Sequence, residues 1–267
     1  MTKFTFLNKE TQFNLSDKVY FGKDIVFGYN CRKIELGYGC FLGNDVYIDV
    51  PELVIGDYTT IHKHTTIHGY KPCRIGNNCW IGQFTVIDSI GGTSIGNNVG
   101  IGASSQLWSH IKFGDDLEGC RWNKSQGLIV EDDVWFVGHC IVTPIHARKK
   151  SMLMVGGVIT KNMDENHVYA GVPAKDVTSV MGPQFQEVDY EEKVWKFQSL
   201  YEDFLKTNSI SQEDFSIRIV DCLQRLSSDE SLTYFCLRDR TYLPSRSEYE
   251  YRFMKYLLYD KAKFVPG

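Results

Sequence analysis

A six-residue step dominates the first two thirds of this 267-residue chain. Aliphatic–glycine pairs recur at Leu36-Gly37, Leu42-Gly43, Ile55-Gly56, Ile75-Gly76, Ile81-Gly82, Ile95-Gly96 and Ile101-Gly102, with Phe21-Gly22 and Phe27-Gly28 as aromatic variants. Ile48, Ile61, Ile67, Ile87 and Leu107 keep the step without the glycine. Asn or Asp follows closely, as in Asn44-Asp45, Asp57, Asn77-Asn78 and Asn97-Asn98. The phase is regular: apolar positions fall at 55, 61, 67, then 75, 81, 87, then 95, 101, 107, each triplet offset from the last by eight. A period of six fits neither a helix nor an ordinary strand. It fits a three-sided parallel β-solenoid whose coil is three hexads plus two extra residues at one corner. Aliphatic side chains stack inside, and Gly or Asn takes the tight corners. Many coils are needed because each satisfies its neighbour's backbone.

Composition narrows the function classes. The net charge is −4, so there is no electrostatic footprint for nucleic acid. No apolar run reaches the length of a membrane span, and the stretch MTKFTFLNKETQF lacks the apolar centre of a secretory signal. The eight cysteines (31, 40, 73, 79, 120, 140, 222 and 236) form no CxxC pair. They are expected to be reduced, mostly buried thiols in a cytoplasmic protein, not zinc ligands.

After Leu107 the repeat breaks at "LWSH" and resumes at Val130. Two downstream segments then carry a resemblance: "VEDDVWFVG" (130–138) and "GGVITKNMDENHVYAGVPAKDV" (156–177). Both resemble the signature of the hexapeptide-repeat acyltransferases, and the likeness covers residues 20–180. It fades at "PIHARKKSML" (144–153), where an irregular coil is expected. The resemblance implies a left-handed parallel β-helix, homotrimers with the site in a cleft between adjacent prisms, and acetyl-CoA as acyl donor without a metal.

Within that family, His110 stands in the place of the catalytic histidine. Neutral imidazole accepts a hydroxyl proton near neutrality, which suits a general base for direct transfer, with a backbone N–H stabilising the oxyanion. Coil stacking puts Asp88 at the same corner one coil earlier. It either orients the imidazole or sits in a solvated turn. Ser89 beside it aligns with Ser109 and, with His68 in the same corner column, is a candidate for holding the acceptor. The insertion contributes Arg121 and Trp122, residue types that suit sugar binding and equally suit an ordinary solvated loop. For the cofactor, Trp135 stands where the family walls the pantetheine channel, although a core-capping tryptophan reads the same way. Gly138 and Gly156 match positions where backbone approaches pantetheine. Thr160, Lys161 and Lys175 match the family's TK and PAK residues, and CoA's phosphates give those lysines a reason to exist. Arg148, Lys149 and Lys150 are read as a solvated charge run.

His62, His64 and His68 lie close in sequence, and β-helix carbonic anhydrases use three histidines, but a hexad separates His62 from His68, so they lie at different corners. Beyond Val180 the period changes. Val194, Phe197, Tyr201, Phe204 and Leu205, then Phe215, Ile219, Leu223 and Leu226, have helical spacing, and 247–261 reads as a third helix. The expected organisation is an N-terminal extension (1–18), a left-handed β-helix domain (19–182) with a loop excursion at 108–128, and a C-terminal α-helical domain (183–267). The expected activity is O-acetyl transfer from acetyl-CoA to a carbohydrate hydroxyl, as in surface polysaccharide synthesis. N-acetylation of an amino sugar and a non-catalytic scaffold are the alternatives.

Overall fold

The computed structural model describes residues 4–221, 223 and 232–267. They divide into two compact units, Met1–Phe185 and Gln186–Gly267. The first unit is a three-sided parallel β-helix. One face stacks eight strands from Phe4–Phe6 to Val158–Ile159, the second seven from Gln12–Leu15 to His146–Ala147, and the third runs from Tyr20–Phe21 to a terminal hairpin of Val168–Gly171 and Ala174–Asp176. Apart from that hairpin, the pairing on the three faces is parallel.

The triplet phase maps directly onto the faces. Ile67, Ile75 and Ile81 are buried on the first, second and third faces of one coil, and Ile87, Ile95 and Ile101 pair with them in register one coil on. The two extra residues therefore fall at the corner between first and second faces. The other two corners are tight, and each coil turns them through a left-handed residue. Asp24, Asp45, His64, Phe84, Ser104 and His139 take this role at one, and Lys18, Tyr58, Asn78, Asn98 and Asp133 at the other.

This corrects the expected role of glycine. The glycine of each aliphatic–glycine pair is mostly not the left-handed residue, which comes two positions later. It is needed because the next coil is too close for a side chain. A Cβ on Gly76 would lie 2.6 Å from the carbonyl carbon of Gly96, and one on Gly56 would lie 2.6 Å from Asn77 Oδ1. The Asn/Asp position that follows explains the proximity. Asn77 Oδ1 accepts from the Asp57 amide at 2.6 Å, Asn97 Oδ1 from the Asn77 amide at 2.9 Å, and Asp132 Oδ1 from the Asn97 amide at 2.6 Å. Buried hydroxyls and thiols complete the ladder: Thr59 donates to the Gly76 carbonyl at 2.7 Å and Cys79 to that of Gly96 at 3.1 Å. The seven described cysteines are free thiols, six of them buried, while Cys222 lies outside the described residues.

Two more expectations change. Residues 4–15 are not an extension: their strands pair with Ile25–Phe27 and Lys33–Leu36 as the first coil. Phe4, Phe6, Phe13 and Phe21 gather around Phe27, with Phe6 stacked on it at 4.7 Å. Together these rings close the open end of the prism. The basic stretch 144–153 keeps the strand register, with Ala147 and Leu153 buried beside Val130 and Phe136, so the irregularity expected there is confined to one shortened corner of five residues from Val142 to Ala147.

In the second unit, α1 (Tyr190–Asn208) is capped by the Asp189 carboxylate on the Glu192 amide and buries Phe197, Tyr201, Phe204 and Leu205. A later helix, α2 (Glu248–Leu257), contributes Phe253 to the same aromatic core. Between them lies a strand, Ser216–Val220, where a helix was expected, paired in parallel with Leu232–Cys236 in a four-stranded sheet. Its Ile-Arg-Ile-Val run satisfies strand alternation as well as helical spacing, and β-branched residues favour the strand. Leu226 lies outside the described residues. No helix among the described residues is long and apolar enough to cross a membrane.

Gly76→Ala should therefore lower stability by about 1–3 kcal/mol, the usual cost of overpacking. Urea unfolding measures it; an unchanged midpoint would mean that the coils part freely at that corner.

Candidate active site

Three consecutive coils build the site at the wide corner. Strand Val86–Asp88 ends the first face of one coil, and Gln106–Leu107 pairs with it above. Beyond Leu107 the chain turns through Trp108, Ser109 and His110. It leaves the prism as a short hairpin (Ile111–Lys112 with Asn123–Lys124) and returns at Gly127, whose amide donates to the Ser109 carbonyl at 3.1 Å.

Asp88 is fully buried beneath this turn. Its Oδ2 accepts from the Ser109 amide at 2.9 Å, from the Ser109 hydroxyl, and from His110 Nδ1 at 2.9 Å. Oδ1 takes the Ile90 amide at 3.3 Å. Burial pushes the carboxyl up, but the Ser109 hydroxyl, His110 and the Ser109 amide outweigh it and hold Asp88 below its ordinary value. An ionised carboxylate only accepts, so Nδ1 carries the proton toward Asp88. Nε2 is then the basic nitrogen. The imidazole is 19% exposed, and among the described residues Nε2 has no protein partner. A buried carboxylate that fixes the tautomer of a half-buried imidazole leaves Nε2 able to accept a proton.

The galactoside O-acetyltransferase of Lactococcus lactis is 25% identical over 147 residues, which cover 45% of this chain and 70% of that protein. The chain resembles the hexapeptide-repeat acyltransferases in signature and in fold. No family model matches it. Among solved structures, a polySia-specific acetyltransferase is 19% identical over 76% of this chain and 98% of its own, with a TM-score of 0.48. An N-acyltransferase of Bacillus cereus in complex with dTDP and coenzyme A is 13% identical over 70% and 91%, with a TM-score of 0.37. A hexapeptide-repeat acetyltransferase of Vibrio cholerae with acetyl coenzyme A is 16% identical over 53% and 68%, at 0.33.

The cofactor residues matched to hexapeptide-repeat acyltransferases do not converge within one chain. Thr160 and Lys161 follow the first-face strand Val158–Ile159, so they lie on the same prism edge as His110, two coils further on. Gly138 and Gly156 stack at the opposite edge of that face, the Gly156 amide donating to the Gly138 carbonyl at 2.9 Å. Trp135 projects from the third face, 45% exposed, and Lys175 lies on that face's terminal hairpin. Arg148 and Lys149 are paired with Asp164 and Glu165 in exposed bridges.

The acceptor candidates separate as well. Ser89 is not available: it is fully buried, and its hydroxyl donates to the Pro72 carbonyl at 2.8 Å. His68 pairs in register with Asp88 one coil below. Arg121 and Trp122 are exposed on the hairpin, and neither bonds to the dyad among the described residues. His62 and His64 belong to the third-to-first corner, His62 against Trp80 at 4.9 Å and His64 stacked on Phe84 at 4.9 Å, across the first face from His68. Ser109 is the functional residue that sequence reasoning passed over. Its alignment with Ser89 was visible, but only the structure shows which of the two bonds to Asp88.

With its folded value depressed, Asp88 contributes stability fully above its ordinary 3.8, and that contribution is lost as pH falls through the lower folded value. Asp88→Asn should be about 1–3 kcal/mol less stable than wild type at neutral pH. The gap should narrow as the wild-type carboxyl protonates in acid. Urea unfolding across that range checks both, and a gap independent of pH would contradict an ionised Asp88.

Proposed function

We propose that the protein transfers an acetyl group from acetyl-CoA to a carbohydrate hydroxyl. The observation that carries this reading is the Asp88–His110 dyad with its exposed Nε2, set on one prism edge with Thr160 and Lys161. Strands stack 4.7–4.9 Å apart, so the lysine lies about 10 Å along the edge from the dyad. An acyl-CoA lying parallel to the prism axis then has its thioester near His110 and its phosphates near Lys161. The similarity to a galactoside O-acetyltransferase supports a sugar hydroxyl as the acceptor.

In the proposed step, Nε2 accepts the acceptor's hydroxyl proton as that oxygen attacks the thioester carbonyl. His110, now doubly protonated, is balanced by Asp88. When the tetrahedral intermediate collapses, Nε2 returns the proton to the departing sulfur. No covalent acyl-enzyme forms.

A homotrimer is part of this proposal. Trp135, Gly138, Gly156 and Lys175 sit away from the His110 edge of their own prism. They reach an acyl-CoA if the third face of one copy abuts the His110 edge of another. The outward column of the first face runs Tyr47 (37% exposed), Thr66, Val86, Gln106 and Ile141 (39% exposed), a mixed apolar and polar surface that carries no charge and can pack against a second copy. Phe113 and Leu117, fully exposed on the hairpin, fit the same role, and Arg121 and Trp122 are then presented to the acceptor with His68.

His110→Ala should lower kcat by roughly 10²–10⁴-fold while CoA affinity stays near wild type. Lys161→Ala should instead weaken CoA. Acetyl-CoA turnover on galactosides and calorimetric CoA titration separate the two. Wild-type turnover by His110→Ala would remove the mechanism, and unchanged CoA affinity in Lys161→Ala would remove the phosphate contact.

A further inference from the structure

Beside the dyad, on the second face, lies an open groove of about 250 Å³ lined by Pro72, Arg74, Gly91, Gly92, Ser94 and Gln126, among others. Two of its lining residues are tied directly to the catalytic turn. The Gly91 amide donates to the Ser109 hydroxyl at 2.8 Å, and the Gly127 amide donates to the Ser109 carbonyl at 3.1 Å. Whatever occupies the groove therefore sits next to the residue that precedes His110.

Its glycines are forced. A Cβ on Gly91 would fall 2.0 Å from the Ser109 carbonyl oxygen, and Gly92 and Gly127 hold φ of 92° and 85°. The result is a ledge of backbone whose glycines add no side chain to the groove, with only the Lys71 stem beside Gly92. The charged side chain that lines it is a cation, Arg74. Arg74 stands in the wall, 56% exposed, with Nη2 fixed by Glu52 at 2.8 Å and its remaining N–H groups without a protein partner among the described residues. The stem of Lys71 runs along Gly92, within 3.7 Å of where a Cβ would be, and the residue is exposed. No carboxylate lines the groove among the described residues. Glu52 offsets one of the two cations, which leaves a net positive rim.

We infer that this groove is the acceptor subsite and that it selects an anionic sugar, one bearing a carboxylate or phosphate. The inference rests on the acetyl-transfer reading above and adds the acceptor's charge to it. Arg74 recognises the anion in a forked geometry, Lys71 adds a point charge, and the glycine ledge lets the sugar ring approach the Ser109–His110 turn.

The test compares galacturonate with galactose, binding and acetyl transfer being measured separately. Wild-type protein should bind galacturonate at least roughly tenfold more tightly at low salt, with the margin shrinking as salt rises. Arg74→Gln/Lys71→Gln should bring the two sugars to equal affinity, and Arg74→Lys should keep part of the preference. Equal binding by wild type, no binding of either sugar, or a preference that survives in the double variant each overturns the groove. Galacturonate that binds with the expected margin but is never acetylated supports the groove and counts against acetyl transfer.

Discussion

Coil-to-coil spacing is the constraint on which the rest of this structure depends. Parallel strands must stack at the hydrogen-bonding distance on three faces at once, so the corners have to come equally close. That closeness excludes a Cβ at the corner glycines and puts an Asn or Asp carbonyl oxygen within reach of the amide one coil below. It also turns small hydroxyls and thiols inward onto glycine carbonyls. The same ladder fixes the register from Phe4 to Ile159, and therefore fixes which side chains share an edge.

Only one corner escapes the constraint. Between the first and second faces the number of residues varies from coil to coil, eight from Ile87 to Ile95 but five from Val142 to Ala147, and there the backbone is free to widen or tighten. The chain uses that freedom once, to leave the prism after His110 and return at Gly127. The dyad sits at the root of this departure, where rigid strands below hold Asp88 and the turn above supplies three donors to one carboxylate oxygen. The His110 imidazole is thus held by the scaffold, and the returning backbone at Gly127 lines the groove on the second face.

The solenoid was legible because its period leaves few alternatives: every core position in the triplets was assigned to a face by phase alone. The meeting of Asp88 with His110 was legible through stacking arithmetic, because both follow the same first-face column one coil apart. Three features were not. The role of Ser109 against Ser89 depends on a few degrees of turn geometry that spacing does not encode. Strand Ser216–Val220 was misread because its apolar residues fit two periods, and only the neighbouring strand decides between them. The first coil was hidden because phenylalanines replace the aliphatic repeat exactly where the core needs a lid.

The account's central claim is that this edge of the prism receives an acyl-CoA. The direct measurement is the unfolding midpoint of the intact protein with and without CoA and acetyl-CoA. A ligand at a hundred times its dissociation constant adds about 2.7 kcal/mol to the folded state. A rise of the midpoint with both ligands, growing with their concentration, is the predicted result. An unmoved midpoint at millimolar concentrations of either would contradict the acyltransferase reading and return His110 to the status of a well-ordered corner histidine.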